Sequence, residues 1–403
     1  MNAAITQPPT RLFLAVLVAV SALQPFALNV LAPATPGLTR SLQTDYATVQ
    51  LTLTLYLVTV AVSQLVVGPI SDRIGRRPCI LAGVAFFALG SLMGALANTI
   101  ELLLLARVVQ AAGSGTCFAL SRAAVQDSAP REQSASLMGY ITMAMVVAPM
   151  IAPLVGGFLD AHFGWRWIFI AMIALAAVVG AAALALLRET APKHQDTSLL
   201  AMVRGYPILL RYRAFIAYTL VLSFTTGSFF AFIAGAPFIV VEVIGRGPDI
   251  YGYYFLTNAG AYMLGNFITG RYSSRIGISR LAGIGIALSG LSVLLEILCI
   301  LTLPWTPATL FLPFALTGFG NGLTIPGSVA LTLRVEPRLA GTAAGLAGAA
   351  QLGFGAVSAV VTGYIVTVWP YGLIAWMLAM AVLAAAAFYA ANAGSAPAPQ
   401  QGV

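Results

Sequence analysis

Gly68-Pro69-Ile70-Ser71-Asp72-Arg73-Ile74-Gly75-Arg76-Arg77 lies between two long apolar runs. Half a chain later, Gly270-Arg271-Tyr272-Ser273-Ser274-Arg275-Ile276-Gly277-Ile278-Ser279-Arg280 does the same. Gly68 and Gly270 are 202 positions apart, and so are Gly75 and Gly277. A short basic loop with fixed glycines, set between membrane spans and repeated once per half, predicts a duplicated membrane architecture.

Composition agrees with that reading. The 403 residues are 60% hydrophobic and 8% charged, whereas a soluble domain carries about 25% charged residues. Apolar runs long enough to span a bilayer, about 20 residues each, fall at 11–31, 49–67, 79–97, 102–123, 135–159, 167–187, 215–238, 251–269, 281–303, 308–331, 340–366 and 372–391. The expected fold is an all-α integral membrane protein with twelve transmembrane helices in two pseudo-symmetric six-helix bundles. The bundles are expected at 1–190 and 213–393, with a linker at 191–212 and a disordered, low-complexity tail at 394–403. The first span lacks a cleavable small-residue site and reads as a retained anchor.

A net charge of +8 would suggest nucleic acid as a partner for a soluble chain. Here its distribution gives another reason. With a cytoplasmic N-terminus, 16 of the 20 Lys and Arg residues fall on the cytoplasmic side, which is the positive-inside bias. Both termini are therefore expected in the cytoplasm, the partner is the lipid bilayer, and no nucleic acid is expected. Cys79, Cys117 and Cys299 are odd in number and lie in or beside spans, so they read as packing residues. No metal-ligand spacing is visible, and no cofactor is expected. Trp165, Trp167, Trp305, Trp369 and Trp376 cluster toward span ends and read as interface anchors.

The repeat extends beyond the loops. Gly113-Ser114-Gly115 corresponds to Gly320-Asn321-Gly322, and Pro130 to Pro337, both at an offset of 207. Gly157-Phe158-Leu159 resembles Gly363-Tyr364-Ile365 at an offset of 206.

These motifs resemble those of the major facilitator superfamily. Gly68 to Arg77 is similar to its loop motif between spans two and three. Leu105-Ala106-Arg107-Val108-Val109-Gln110-Ala111-Ala112-Gly113 is similar to its span-four arginine motif. Ala148-Pro149-Met150-Ile151-Ala152-Pro153-Leu154-Val155-Gly156-Gly157 resembles the antiporter motif of span five. That last motif marks the twelve-span drug:proton antiporters, and within them Gly68 to Pro78 and Ser121 to Asp127 resemble the bicyclomycin and chloramphenicol resistance branch. The resemblance implies a monomeric, non-enzymatic exporter of the bacterial inner membrane. It would move small amphiphilic molecules against protons by alternating access. One position departs from the branch. Its usual span-one Asp-x-x-x-Pro-Ala-x-Pro pattern is here Asn29-Val30-Leu31-Ala32-Pro33-Ala34-Thr35-Pro36. If that Asp carries the proton, coupling here needs another group or is absent.

Arg107, Gln110, Ser114, Phe118 and Ser121 recur at helical spacing as one polar stripe. A guanidinium inside a bilayer faces a wet cavity or a partner. Arg107 is thus either a cavity residue contacting substrate or a packing arginine bonded to carbonyls. Asn29, Tyr56, Tyr140, Met143, Phe224, Phe232, Tyr254, Asn258, Tyr262, Asn321 and Gln351 join Arg107, Gln110 and Ser114 as candidate substrate-binding residues. By resemblance, Gly68, Asp72, Arg73, Gly75 and Arg76 form a gate, with Asp127 as a further partner. The second copy has Ser274 where the first has Asp72. Pro149, Pro153, Gly156 and Gly157 read either as a bend that closes the cavity or as ordinary helix packing. Glu296, Asp72 and Asp127 are the proton-coupling candidates. Glu296 is the acid well inside an apolar run, although its place near the end of span nine suggests a side chain reaching the outer interface. Two rival functions stay open: a proton-independent facilitator, or a metabolite transporter with an anionic substrate anchored by Arg107. A membrane enzyme would need clustered acids, histidines or a nucleophile, and none is visible.

Overall fold

The structure is a computed structural model that describes residues 10–128, 131–190, 206–336 and 339–393, without the side chains of 131–146 and 340. The side chains of Tyr140 and Met143, the prolines 130 and 337, most of the linker and the 394–403 tail lie outside the described residues.

The described residues form α1 (Arg11–Asn29), α2 (Thr35–Ser41), α3 (Tyr46–Ile74), α4 (Arg76–Ala95), α5 (Ile100–Ser128), α6 (Arg131–Phe163), α7 (Arg166–Leu186), α8 (Arg213–Phe238), α9 (Pro248–Ile276), α10 (Ile278–Thr302), α11 (Pro307–Arg334), α12 (Ala340–Val368) and α13 (Gly372–Ala393), with a further helical turn at 206–209. No strand occurs among the described residues. Ten helical stretches are long and apolar enough to cross a membrane. The other two expected spans are α6, whose Val147–Phe163 is a shorter apolar helix, and α9, which carries Asp249, Asn258, Asn266, Arg271 and Arg275.

The helix ends follow local chemistry. Pro33 and Pro36 interrupt the first span, so α1 ends at Asn29, a 3-10 turn covers Ala32–Ala34, and α2 is a separate short helix. The Asp45 carboxylate caps α3 by accepting from the Thr48 amide at 2.8 Å. The Thr48 hydroxyl, and then that amide, hold the Asp45 pKa below the usual carboxylate value. Thr306 and Thr309 form a reciprocal cap before α11, with Pro307 in the first turn. Beyond Pro237, α8 loosens into a π-helical turn at Ile239–Val243.

The chain divides into two compact units, Met1–Leu199 with Ala236–Leu256, and Leu200–Gly235 with Thr257–Val403. Each has a close helix crossing of the same design. In the first unit, a Cβ added to Gly113 of α5 would overlap the Gly83 carbonyl of α4. In the second, a Cβ added to Gly320 of α11 would overlap the Gly285 carbonyl of α10. Helix packing without a hydrophobic driving force relies on such small-residue contacts. A side-chain bond accompanies both crossings. Gln110 Nε2 donates to Ser91 Oγ at 2.8 Å, and Thr317 Oγ1 donates to Ser292 Oγ at 2.8 Å. The duplication therefore holds in three dimensions.

Candidate functional site

The polar stripe of α5 is fully enclosed in the first unit. Arg107 is 1% exposed. Its Nε donates to the Thr52 carbonyl at 3.4 Å, its Nη2 to the Ala27 carbonyl at 3.1 Å, and its Nη1 to Gln110 Oε1. The guanidinium also lies over the Tyr56 ring, 4.2 Å from its centroid. Tyr56 in turn donates to the Gln24 carbonyl at 3.3 Å and shares a 2.7 Å hydrogen bond with Ser114 Oγ. Gln110 reaches Ser91 and the Met172 sulfur, at 3.2 Å. Four predicted residues, Arg107, Gln110, Ser114 and Tyr56, are thus one network that joins α1, α3, α4, α5 and α7. Asn29 is also buried; its Nδ2 donates back to the Pro25 carbonyl at 2.8 Å, and its Oδ1 accepts no hydrogen bond among the described residues.

A second cluster is built on the first loop motif. Arg76 Nη1 pairs with Asp72 Oδ1 at 2.6 Å, and Arg76 Nε with Asp127 Oδ2 at 3.0 Å. The same guanidinium donates to Ser71 Oγ and to the Gly68 carbonyl at 3.4 Å. Gly68 contributes only that carbonyl, since a Cβ there would meet nothing within 4 Å. Gly75 has φ +112°, a region open essentially to glycine. Arg73 is exposed. The second copy keeps the turn, with Gly277 at φ +95°, but Ser274 and Ile278 replace the acid and the arginine.

Sequence reasoning missed Glu189. Its carboxylate accepts from the backbone amides of Arg76 at 2.7 Å and Arg77 at 3.2 Å. It caps α4, whose first turn has no acid of its own. Arg77 Nη2 closes the link by donating to the Leu184 carbonyl of α7 at 2.9 Å. The signal available was an acid directly after span six, facing a helix that starts with two arginines.

The glycines of the span-five motif are backbone contacts. A Cβ on Gly156 would overlap the Val30 carbonyl. One on Gly157 would meet Pro248, 3.1 Å from its carbonyl carbon, and one on Gly252 would come within 2.8 Å of Leu154 Cα. The contact between α6 and the start of α9 is therefore glycine-to-backbone in both directions. Pro149 and Pro153 lie within the same continuous helix. Nearby, Arg40 pairs with Glu242 at 3.4 Å, and Tyr46 packs against Phe238 with ring centroids 5.0 Å apart.

In the second unit the predicted residues fall into an aromatic and an amide group. Phe232 stacks on Phe314 and meets Phe311 edge-on at 5.1 Å. Phe224 meets Phe354 at 5.1 Å. Gln351 Nε2 donates to Thr226 Oγ1 at 2.8 Å. Asn258 packs against Gly318, and Asn258 and Asn321 are buried with Oδ1 atoms that accept no hydrogen bond among the described residues. Tyr254 and Tyr262 are half-buried. Two expectations need correction. Glu296 does not reach the outer interface; it is 1% exposed because α10 turns that face inward. Trp165 is no interface anchor either: it is buried, donating to Ser41 Oγ at 3.0 Å.

Three comparisons converge. Residues 17–257 match the family model for the Major Facilitator Superfamily. The chain is 31% identical over 386 residues to an uncharacterized MFS-type transporter, YdgK, of Bacillus subtilis (strain 168), covering 94% of this chain and 95% of that one. It is 28% identical to the bicyclomycin resistance protein homolog of Haemophilus influenzae (87% and 88% covered) and 31% identical to multidrug resistance protein D of Escherichia coli (84% of each). Among solved structures, the partially occluded inward-open xylose transporter XylE of E. coli superposes with a TM-score of 0.74 at 15% identity, covering 93% of this chain and 96% of that one. A duplicated helical fold, a glycine-turned loop with its arginine clamp and this breadth of sequence similarity give one conclusion: the chain is a multi-pass membrane protein belonging to the major facilitator superfamily.

Proposed function

We propose that the chain exports small amphiphilic compounds, of the chloramphenicol and bicyclomycin kind, in exchange for protons across the bacterial inner membrane. The observation that carries this reading is the intact Asp72–Arg76–Asp127 clamp in a chain whose relatives include proteins named for bicyclomycin and multidrug resistance. Arg76 holds the ends of α3 and α5 to the start of α4. A clamp of this kind stabilises one arrangement of the helices and must release for another, as alternating access requires. Half-buried Phe224 with Phe354 supports an apolar, weakly directional ligand surface, whereas Phe232 is fully buried against Phe311 and Phe314. Two six-helix halves at 1–190 and 213–393, cytoplasmic termini and a monomeric state belong to the same proposal.

The rival with an anionic substrate held by Arg107 has less support, because each of the three guanidinium nitrogens already donates inside the protein, to Thr52, Gln110 and Ala27, and the group is 1% exposed. Uptake of labelled chloramphenicol into everted, respiring membrane vesicles tests the proposal. Accumulation that collapses with an uncoupler is expected. Absence of uptake, or uptake indifferent to the uncoupler, would overturn the phenicol:proton reading.

A further inference from the structure

Proton-coupled export needs a carboxyl that is free to exchange a proton; Asp160, half-buried near the end of α6, has its pKa raised by that burial but faces the Arg40 charge. Asn29 has no carboxyl. Asp72 and Asp127 are both committed to Arg76. Glu296 differs from all of these. It is buried in α10, and neither carboxyl oxygen has a hydrogen-bond partner among the described residues.

Among the described residues, its surroundings offer no cation. Helix α10 packs on α11 and α13 and touches α8 through Val221 and Ile286. On α10 itself the other ionisable groups are Cys299, one turn further out, and Arg280, about 24 Å back along the axis. Helix α11 carries only Arg334, about 31 Å beyond Pro313, whose carbonyl accepts from Ser292. Helix α13 carries only Tyr389, toward its far end, and α8 carries Arg213 and Tyr218 in its first turns. A carboxylate among these neighbours is a charge with no partner, which an apolar interior strongly disfavours.

Hydroxyls lead away from it. Ser292 lies one turn before Glu296 on the same face of α10. Thr317 Oγ1 donates to Ser292 Oγ at 2.8 Å, and Ser292 Oγ donates to the Pro313 carbonyl at 2.7 Å. One turn beyond Thr317 on α11 is Asn321, buried with an unpartnered Oδ1. Hydroxyls both donate and accept, so the Thr317–Ser292 pair, bonded among the described residues neither to the Glu296 carboxyl nor to Asn321 Oδ1, can re-form its bonds when the carboxyl changes protonation. In the first unit the equivalent crossing has Gln110 and Ser91 but no acid.

We propose that Glu296 is the proton-binding carboxyl of this transporter, and that Ser292 and Thr317 link its protonation to Asn321 on α11. The proposal rests on the proton-exchange reading above. A proton arriving from the outer side, six residues or about 9 Å from the end of α10, binds the carboxylate and leaves again when the helices rearrange.

Two measurements test it. Dicyclohexylcarbodiimide, which attaches to protonated carboxyls in apolar surroundings, is applied to the purified full chain across a pH series, with the adduct located by mass spectrometry. Labelling of Glu296 that falls as pH rises is expected, and absent or pH-independent labelling overturns the site. In proteoliposomes, labelled chloramphenicol counterflow at equal pH is compared with substrate-dependent proton movement. Glu296→Gln is expected to keep counterflow and lose proton movement, and Thr317→Val to slow proton movement at least threefold with counterflow kept. If Glu296→Gln or Thr317→Val moves protons as the wild type does, this proposal fails while the exporter reading stands. If the wild type itself shows counterflow without proton movement, the antiport reading fails, and this proposal with it.

Discussion

Gly75 and Gly277, 202 residues apart, both turn the chain through positive φ, at +112° and +95°. The two positions differ in what surrounds them. A Cβ on Gly75 would come within 2.9 Å of the Glu189 carboxyl carbon and 3.3 Å of Pro78 Cδ, whereas one on Gly277 meets nothing within 4 Å. Gly277→Ala should therefore cost only the backbone strain, about 1–3 kcal/mol. Gly75→Ala should cost that and displace Glu189 as well. Thermal unfolding of the two variants in detergent checks the order, and equal losses would contradict it.

The Glu189 cap gives a separable prediction. Glu189→Ala leaves the Arg76 and Arg77 amides without their acceptor, and loss of a cap costs about 1 kcal/mol. Amide exchange should speed up at the start of α4 and stay unchanged in α5. Because Gly75→Ala acts partly by moving the same carboxylate, combining it with Glu189→Ala should cost less than the sum of the two.

Much of this was legible from sequence, for identifiable reasons. A span needs a long apolar run, so the helices declare themselves. The turn glycines and the Gly113–Gly320 equivalence are visible because close approach and positive φ leave glycine little alternative. Partners were not legible. Helical spacing puts Arg107, Gln110 and Ser114 on one face of α5, but it does not say whether that face meets a cavity or the carbonyls of Ala27 and Thr52. Glu189 contacts Arg76 across 113 positions, beyond any local pattern. Glu296 was visible as an acid in an apolar run, yet its burial depends on the rotation of α10, which sequence periodicity fixed poorly in so uniformly apolar a helix.

The loop motif contains two adjacent kinds of arginine. Arg76 is clamped by two acids and Arg73 is exposed. Arg73→Ala should leave chloramphenicol export within about twofold of wild type, an energy change below about 0.5 kcal/mol as for surface positions generally. Arg76→Ala should abolish most export while the protein still reaches the membrane, since it leaves Asp72 and Asp127 facing each other without their cation. Resistance in growing cells, normalised to protein level, reads both; comparable losses at the two positions would remove the basis for treating the clamp as a gate.

Arg107 offers the sharpest separation of packing from substrate contact. Its planar guanidinium sends donors in three directions, to Thr52 on α3, Ala27 after the middle of α1 and Gln110 on α5, while stacking on Tyr56. A lysine keeps the charge but concentrates its donors on one nitrogen. Arg107→Lys should then leave at least one carbonyl and Gln110 Oε1 unsatisfied, at about 2–3 kcal/mol for lost hydrogen bonds to a charged group. The melting temperature in detergent should fall for Arg107→Lys almost as far as for Arg107→Ala. A residue that only touched substrate would behave differently, with Arg107→Lys melting like the wild type and only ligand affinity suffering. A wild-type melting temperature for Arg107→Lys would thus return Arg107 to the ligand-contacting role that its place in the polar stripe first suggested.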